Sequence, residues 1–103
     1  MAIVAFTTVH PNPGVKREDV EKLIKKACGL ARKHGAENVT VMVTMLGGSA
    51  TNTIGVLASA EDWGHYGEIQ QALLDDPKMQ AVLQEAGQLA TWESYVNQTI
   101  PDM

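Results

Sequence analysis

Pro77 stands in the middle of the most helical part of the chain, and its position constrains the fold more than any other residue. Proline has no backbone N–H and is excluded from helix interiors, yet it is favoured at a first helical position. The stretch from Ser59 to Gly87 therefore reads as two helices joined at Asp76-Pro77. Asp76 is a suitable N-cap for the second, whose apolar side is Met79, Val82, Leu83 and Ala86. Gly87 is expected to end it. The first helix is expected to start with Ser59 as N-cap, Asp62 supplying negative charge to its first turn, and to run to about Leu74. Each helix has one apolar stripe to bury, so the rest of the chain must provide a surface for them to cover.

That surface comes from four strand-like segments. Ala2 to His10 is β-branched and aromatic, ends at Pro11, and is apolar in both alternating sets, Ile3-Ala5-Thr7-Val9 and Val4-Phe6-Thr8-His10. From Val15 to His34 the apolar positions fall at helical spacing, with Gly35 placed for the left-handed C′ position and Cys28 on the stripe's border as a small hydrophobe. Asn38 to Leu46 and Thr51 to Ala58 form a hairpin around Gly47-Gly48-Ser49. Gly55 within the third strand marks either a bulge or a close approach to the backbone. Leu89 to Asn97 is the fourth strand. The order is β-α-β-β-α(α)-β, satisfied by one α+β domain over residues 1–103: a ferredoxin-like sheet of four antiparallel strands with the helices on one face. The other face would carry Met42, Leu46 and either Phe6 or Val9, too apolar for water, so a homodimer packed sheet to sheet is expected.

Composition removes several classes of function. The net charge of −4 makes nucleic acid a poor default partner, and the basic residues of the first helix read as a solvated face. No apolar run is long enough to span a membrane, and MAIVAFTTVH has neither basic leader nor long apolar core, so a cytoplasmic location is expected. A lone cysteine gives no intrachain disulfide and no cysteine-based metal cluster. The glycine pair lacks a G-x-x-x-x-G-K context, and no serine lies in a G-x-S-x-G elbow.

Element order together with three local features, Glu61-Asp62-Trp63, Asp75-Asp76-Pro77-Lys78-Met79-Gln80 and an aromatic-bearing last strand, resembles the dimeric α+β barrel superfamily. That group includes antibiotic-biosynthesis monooxygenases, EthD-like and NIPSNAP-like proteins and muconolactone isomerase. The resemblance implies a small-molecule cavity between sheet and helices. It also implies, as candidate activities, cofactor-independent oxygenation or isomerisation of an apolar or aromatic compound. A non-catalytic binding or dimerisation module is the alternative. Haem is ranked below the cofactor-free reading, because no attachment motif exists and flanking acids would oppose its propionates.

The candidate site residues follow from type and spacing. Trp63 and Tyr66 lie three apart on a helix and share a face, whereas Trp92 and Tyr95 lie three apart on a strand and point to opposite faces. They are either core packing or the walls of a flat pocket for an aromatic ring, with hydroxyl and indole N–H groups as its polar contacts. His65, with Glu61 and Glu68 within helical reach, is the candidate for acid–base work, with Tyr66 as a second proton acceptor. Phe6, His10 and Met42 join Trp63, Trp92 and Tyr95 as ligand-binding candidates. His10 is at a pocket mouth only if the set containing Phe6 and Thr8 points inward. Spacing places no metal ligand set.

Overall fold

The elements are β1 (Ile3–Pro11), α1 (Arg17–Lys33), β2 (Glu37–Val43), β3 (Ile54–Ala60), α2 (Trp63–Asp75), α3 (Pro77–Leu89) and β4 (Ala90–Gln98). The structure is a computed structural model and describes residues 2–103. The strands form one open antiparallel sheet in the order β2-β3-β1-β4. β1, apolar in both alternating sets, takes a central position with a partner on each side.

Register decides which set faces the helices. Directly opposed residues in an antiparallel pair share a face. Val9 lies between Ile54 and Trp92, Thr7 between Val56 and Ser94, and Ile3 between Ala60 and Gln98. Ile3, Val9, Ile54, Ala60 and Ala90 are all buried, so this is the helix side. The set Val4-Phe6-Thr8-His10 faces away from the helices. Phe6, not Val9, is therefore on the open face, opposite Leu57 and Tyr95. Leu46 is not on that face: β2 ends at Val43, and Leu46 lies 96% exposed in the connection to β3. That connection holds a 3-10 turn at Gly48–Ala50 in place of a tight hairpin.

Local chemistry sets the helix ends, in two places differently from expectation. Ser59 does not cap α2. It remains in β3, where its Oγ donates to the Glu37 carbonyl and accepts from Asn38 Nδ2, both at 3.1 Å. It thereby fastens the irregular start of β2, where the register shifts and Asn38 has φ 50°. Asp62 is the N-cap instead. Gly87 does not end α3, which runs on to Leu89 because Asn12 satisfies its last turn: the Asn12 N–H donates to the Leu89 carbonyl at 2.9 Å and Nδ2 to the Gln88 carbonyl at 3.1 Å. The other two ends agree with the reading of the sequence. Gly35 has φ +102°, with Gly35 N–H to Arg32 and Ala36 N–H to Ala31, a Schellman close. Asp76 caps α3 through Oδ1 to the Lys78 N–H at 2.9 Å, with Pro77 in the first position.

The core is divided. One cluster gathers Val9, Val20, Ile24, Cys28, Ile54 and Ala90 beneath α1. A second gathers Ile3, Ala60 and Ile69 beneath α2. Between them the helix-side floor carries Ala5, Thr7, Ala58 and Ser94, side chains too small to fill the space under a helix layer.

Candidate functional site

The gap between the two core clusters is a cavity in two parts. The larger, about 400 Å³, lies between α1, α3 and the sheet and has Trp92 on its wall. The smaller, about 260 Å³, continues towards α2, with Tyr66 and Gln70 on its wall and Ala5 and Val96 on its floor. Thr7, Ser94 and Met79 line both parts, so the two meet there. Volumes of this order are typical of small-molecule sites. The cavity exists because the alternation along β1 and β4 places small residues at its centre and large ones at its ends.

Its polar groups are few. The Thr7 and Ser94 hydroxyls hydrogen-bond to each other at 2.8 Å across the floor. The Tyr66 hydroxyl accepts from Gln70 Nε2 at 2.8 Å. The Cys28 thiol, on the wall of the larger part, is pushed above its ordinary range by burial, with Arg32 pulling partly the other way. It is a neutral thiol, unsuited to nucleophilic work.

The sheet divides the residues proposed from sequence. Tyr66 and Trp92 are on the helix side and line the cavity. Phe6, His10, Met42 and Tyr95 are on the open face, so they do not share a pocket with Trp92. His10 is exposed there, as it must be once Ile3 and Val9 point inward. The Tyr95 hydroxyl donates to Glu93 Oε1 at 2.5 Å, which raises its pKa above the ordinary phenol value.

Both indole N–H groups are committed to the architecture. Trp92 Nε1 donates to the Ala86 carbonyl at 2.7 Å, tying α3 to β4. Trp63 Nε1 donates to Gln98 Oε1 at 2.9 Å, and its ring meets Tyr66 edge-on, with centroids 6.0 Å apart. Trp63 is 51% exposed. His65 is occupied as well. Its N–H donates to Asp62 Oδ1 at 2.8 Å, while its Nδ1 accepts from the Glu61 N–H at 3.0 Å. This resembles a capping box displaced by one residue, since the ring accepts from the N–H of the residue before the N-cap Asp62, and a neutral ring accepting at Nδ1 carries its proton on Nε2.

As site residues Thr7, Gln70 and Met79 escaped the reading of the sequence, in which Thr7 and Met79 stand only as members of a strand set and of a helix stripe and junction. Their signal lies in the run of small residues at alternate positions of β1, β3 and β4, visible once the register is known. Among the described residues, no three His, Cys, Asp or Glu side chains converge as a metal site. No helix among the described residues is long and apolar enough to cross a membrane.

The fold is that of the ferredoxin-like α+β proteins, with an open four-stranded sheet. No protein-family model matches the chain, and no curated protein matches it. Solved structures do. A NIPSNAP family protein from Agrobacterium tumefaciens is similar with TM-score 0.78 and 16% identity, covering 99% of this chain and 89% of that one. SnoaB, a cofactor-independent oxygenase from Streptomyces nogalater, gives 0.71 and 14%, covering 98% of each chain. A dimeric ferredoxin-like protein of unknown function from Thermobifida fusca gives 0.70 and 20%, covering 96% of this chain and 92% of that one. At such identities the likeness is one of fold.

Proposed function

We propose that this protein binds a small apolar or aromatic molecule in the cavity between its sheet and helices. One observation carries this reading: the helix-side core is split into two clusters, and small side chains leave the space between them open. A domain with nothing to bind gains stability by filling such a gap, since close packing of the interior is the rule. Trp92 offers the ligand an aromatic wall, and the Thr7–Ser94 and Tyr66–Gln70 pairs offer hydrogen bonds. Tyr66 is the group we place at the chemistry, with His65 positioning the start of its helix. Oxygenation without a cofactor is the first reaction to test, because the Streptomyces nogalater oxygenase shares the fold. Two copies pack open face to open face, which leaves both cavities on the outer, helix-covered sides.

A thermal-shift screen of phenols, quinones and lactones, followed by mass spectrometry of each stabilising compound after aerobic incubation, tests this proposal. A stabilising compound that gains oxygen or isomerises supports an enzyme. One recovered unchanged supports binding alone. A screen without any stabilising compound, combined with unaltered Trp92 fluorescence, counts against the cavity as a site.

A further inference from the structure

We infer that the cavity selects an elongated, electrically neutral ligand: an apolar body bearing a hydrogen-bonding oxygen, to the exclusion of carboxylates and phosphate esters. This inference rests on the binding reading above and narrows it by charge. Among the described residues lining the two parts, Asp, Glu, Lys, Arg and His are all absent. The groups there that can ionise at all are Cys28, whose burial keeps it a thiol, and the phenol of Tyr66. An anion entering such a slot would lose its hydration with no cation to meet it, a far larger cost than burying a hydrogen-bonded hydroxyl.

Apart from Arg32, which acts on Cys28 from outside the lining, a source of positive potential beside the cavity is the N-terminus of α3, which contributes Met79 to the wall. It is already answered by Asp76, whose carboxylate accepts from the Lys78 N–H and is held below its ordinary pKa by His34, the Lys78 N–H and Lys33. Lys25, Lys26 and Lys78 line instead a groove on the outer side, between α1 and α3, which shares only Val82 with the cavity wall.

Shape supports the same class. The cavity lining extends from Trp92, level with Val9 in the register, past Thr7 and Ala5 to Ile3, a run of roughly 20 Å at the usual strand rise. Its hydrogen-bonding groups sit at the middle, Thr7 with Ser94, and at the α2 end, Tyr66 with Gln70. A chain or fused-ring body lies along Trp92 and Met79 and delivers its oxygen to one of these two stations.

Titration calorimetry with decanol and decanoate on the intact protein at neutral pH tests the inference. Decanol should bind about tenfold or more tighter than decanoate, the expected direction when only one of the pair must be desolvated as an ion. Gln70→Arg, at an exposed position on the cavity rim, should shift the ratio of decanoate to decanol affinity severalfold towards decanoate. Decanoate binding to the unaltered protein as tightly as decanol overturns the charge selection while the binding reading stands. Failure of both compounds to bind overturns the two together.

Discussion

At the scale of single residues, the site and the scaffold compete for the same polar atoms, and in most cases the scaffold has them. His65 has the side chain most suited to proton transfer, but its Nδ1 accepts from Glu61 and its N–H donates to Asp62. His65→Ala should therefore lower stability by about 1 kcal/mol, the usual worth of a helix cap, and His65→Gln should restore most of it. Thermal melts of the three proteins decide this. A His65→Gln variant as unstable as His65→Ala would show that the ring does something other than capping. Gly55 shows the opposite economy, in which absence of a side chain is the function. A Cβ there would come within 3.0 Å of Phe6 Cζ and 3.3 Å of Cε2, so the ring lies over the glycine backbone. The Phe6 ring, on the open face, need give by only a few tenths of an ångström. Gly55→Ala should consequently change stability by less than about 1 kcal/mol, because the better strand propensity of alanine offsets the displaced ring. A melting-temperature loss well beyond that range would mean that the ring is locked in place.

At the scale of elements, the helix layer is held at two points, and each yields a measurement. Trp92 joins β4 to α3 through the Ala86 carbonyl. Trp92→Phe should cost about 1–3 kcal/mol in chemical denaturation, since the partly buried bond and part of the ring's packing go together. Asp76 joins three elements: its N–H closes α2 on the Leu73 carbonyl at 3.2 Å, its carboxylate caps α3, and the same carboxylate accepts from His34 Nε2 at 2.8 Å at the end of α1, 3.9 Å from Lys33. Its carboxyl is held below the ordinary value of 3.8, chiefly by the His34 hydrogen bond and then by the Lys78 N–H. A carboxyl whose folded pKa is depressed adds stability at pH above its unfolded pKa, and the gain is lost as pH falls through the folded value. Asn can still cap. Asp76→Asn should thus melt below the unaltered protein at neutral pH, and the gap should close as the pH drops below about 4. A gap that persists into strong acid would contradict the assigned cause. These junctions also mark what was legible beforehand. Asp76-Pro77 and Gly35 announced their roles because each is a local backbone requirement. Ser59 and Gly87 misled because the groups that override them, Asn38 and Asn12, are distant in sequence. The face of β1 could not be chosen while both of its sets were apolar, and the cavity depended on that choice.

At the scale of the whole molecule, shape argues for a partner. The protein measures 40 × 36 × 16 Å, and its radius of gyration of 14.0 Å exceeds the roughly 13 Å of a compact domain of this length. Such a plate is a sheet with one helix layer and nothing on its other side. The uncovered side carries Phe6 between Leu57 and Tyr95, with Met42 45% and Tyr95 49% exposed. A face of this breadth offers more than the roughly 800 Å² per partner that a standard interface buries, and the proposed second copy would meet it with the same apolar set. Leu57→Lys puts a charge in the middle of that face without touching the residues that line the cavity. Light scattering at micromolar concentration should give twice the 11.1 kDa of one chain for the unaltered protein and a single chain's mass for the variant. Because the cavity lies on the opposite side of the sheet, the Leu57→Lys monomer should bind decanol within about threefold of the dimer. A monomeric unaltered protein would remove the dimer from this account. A monomeric variant that has lost the ligand while keeping its melting temperature would instead show that the partner completes the cavity from across the sheet.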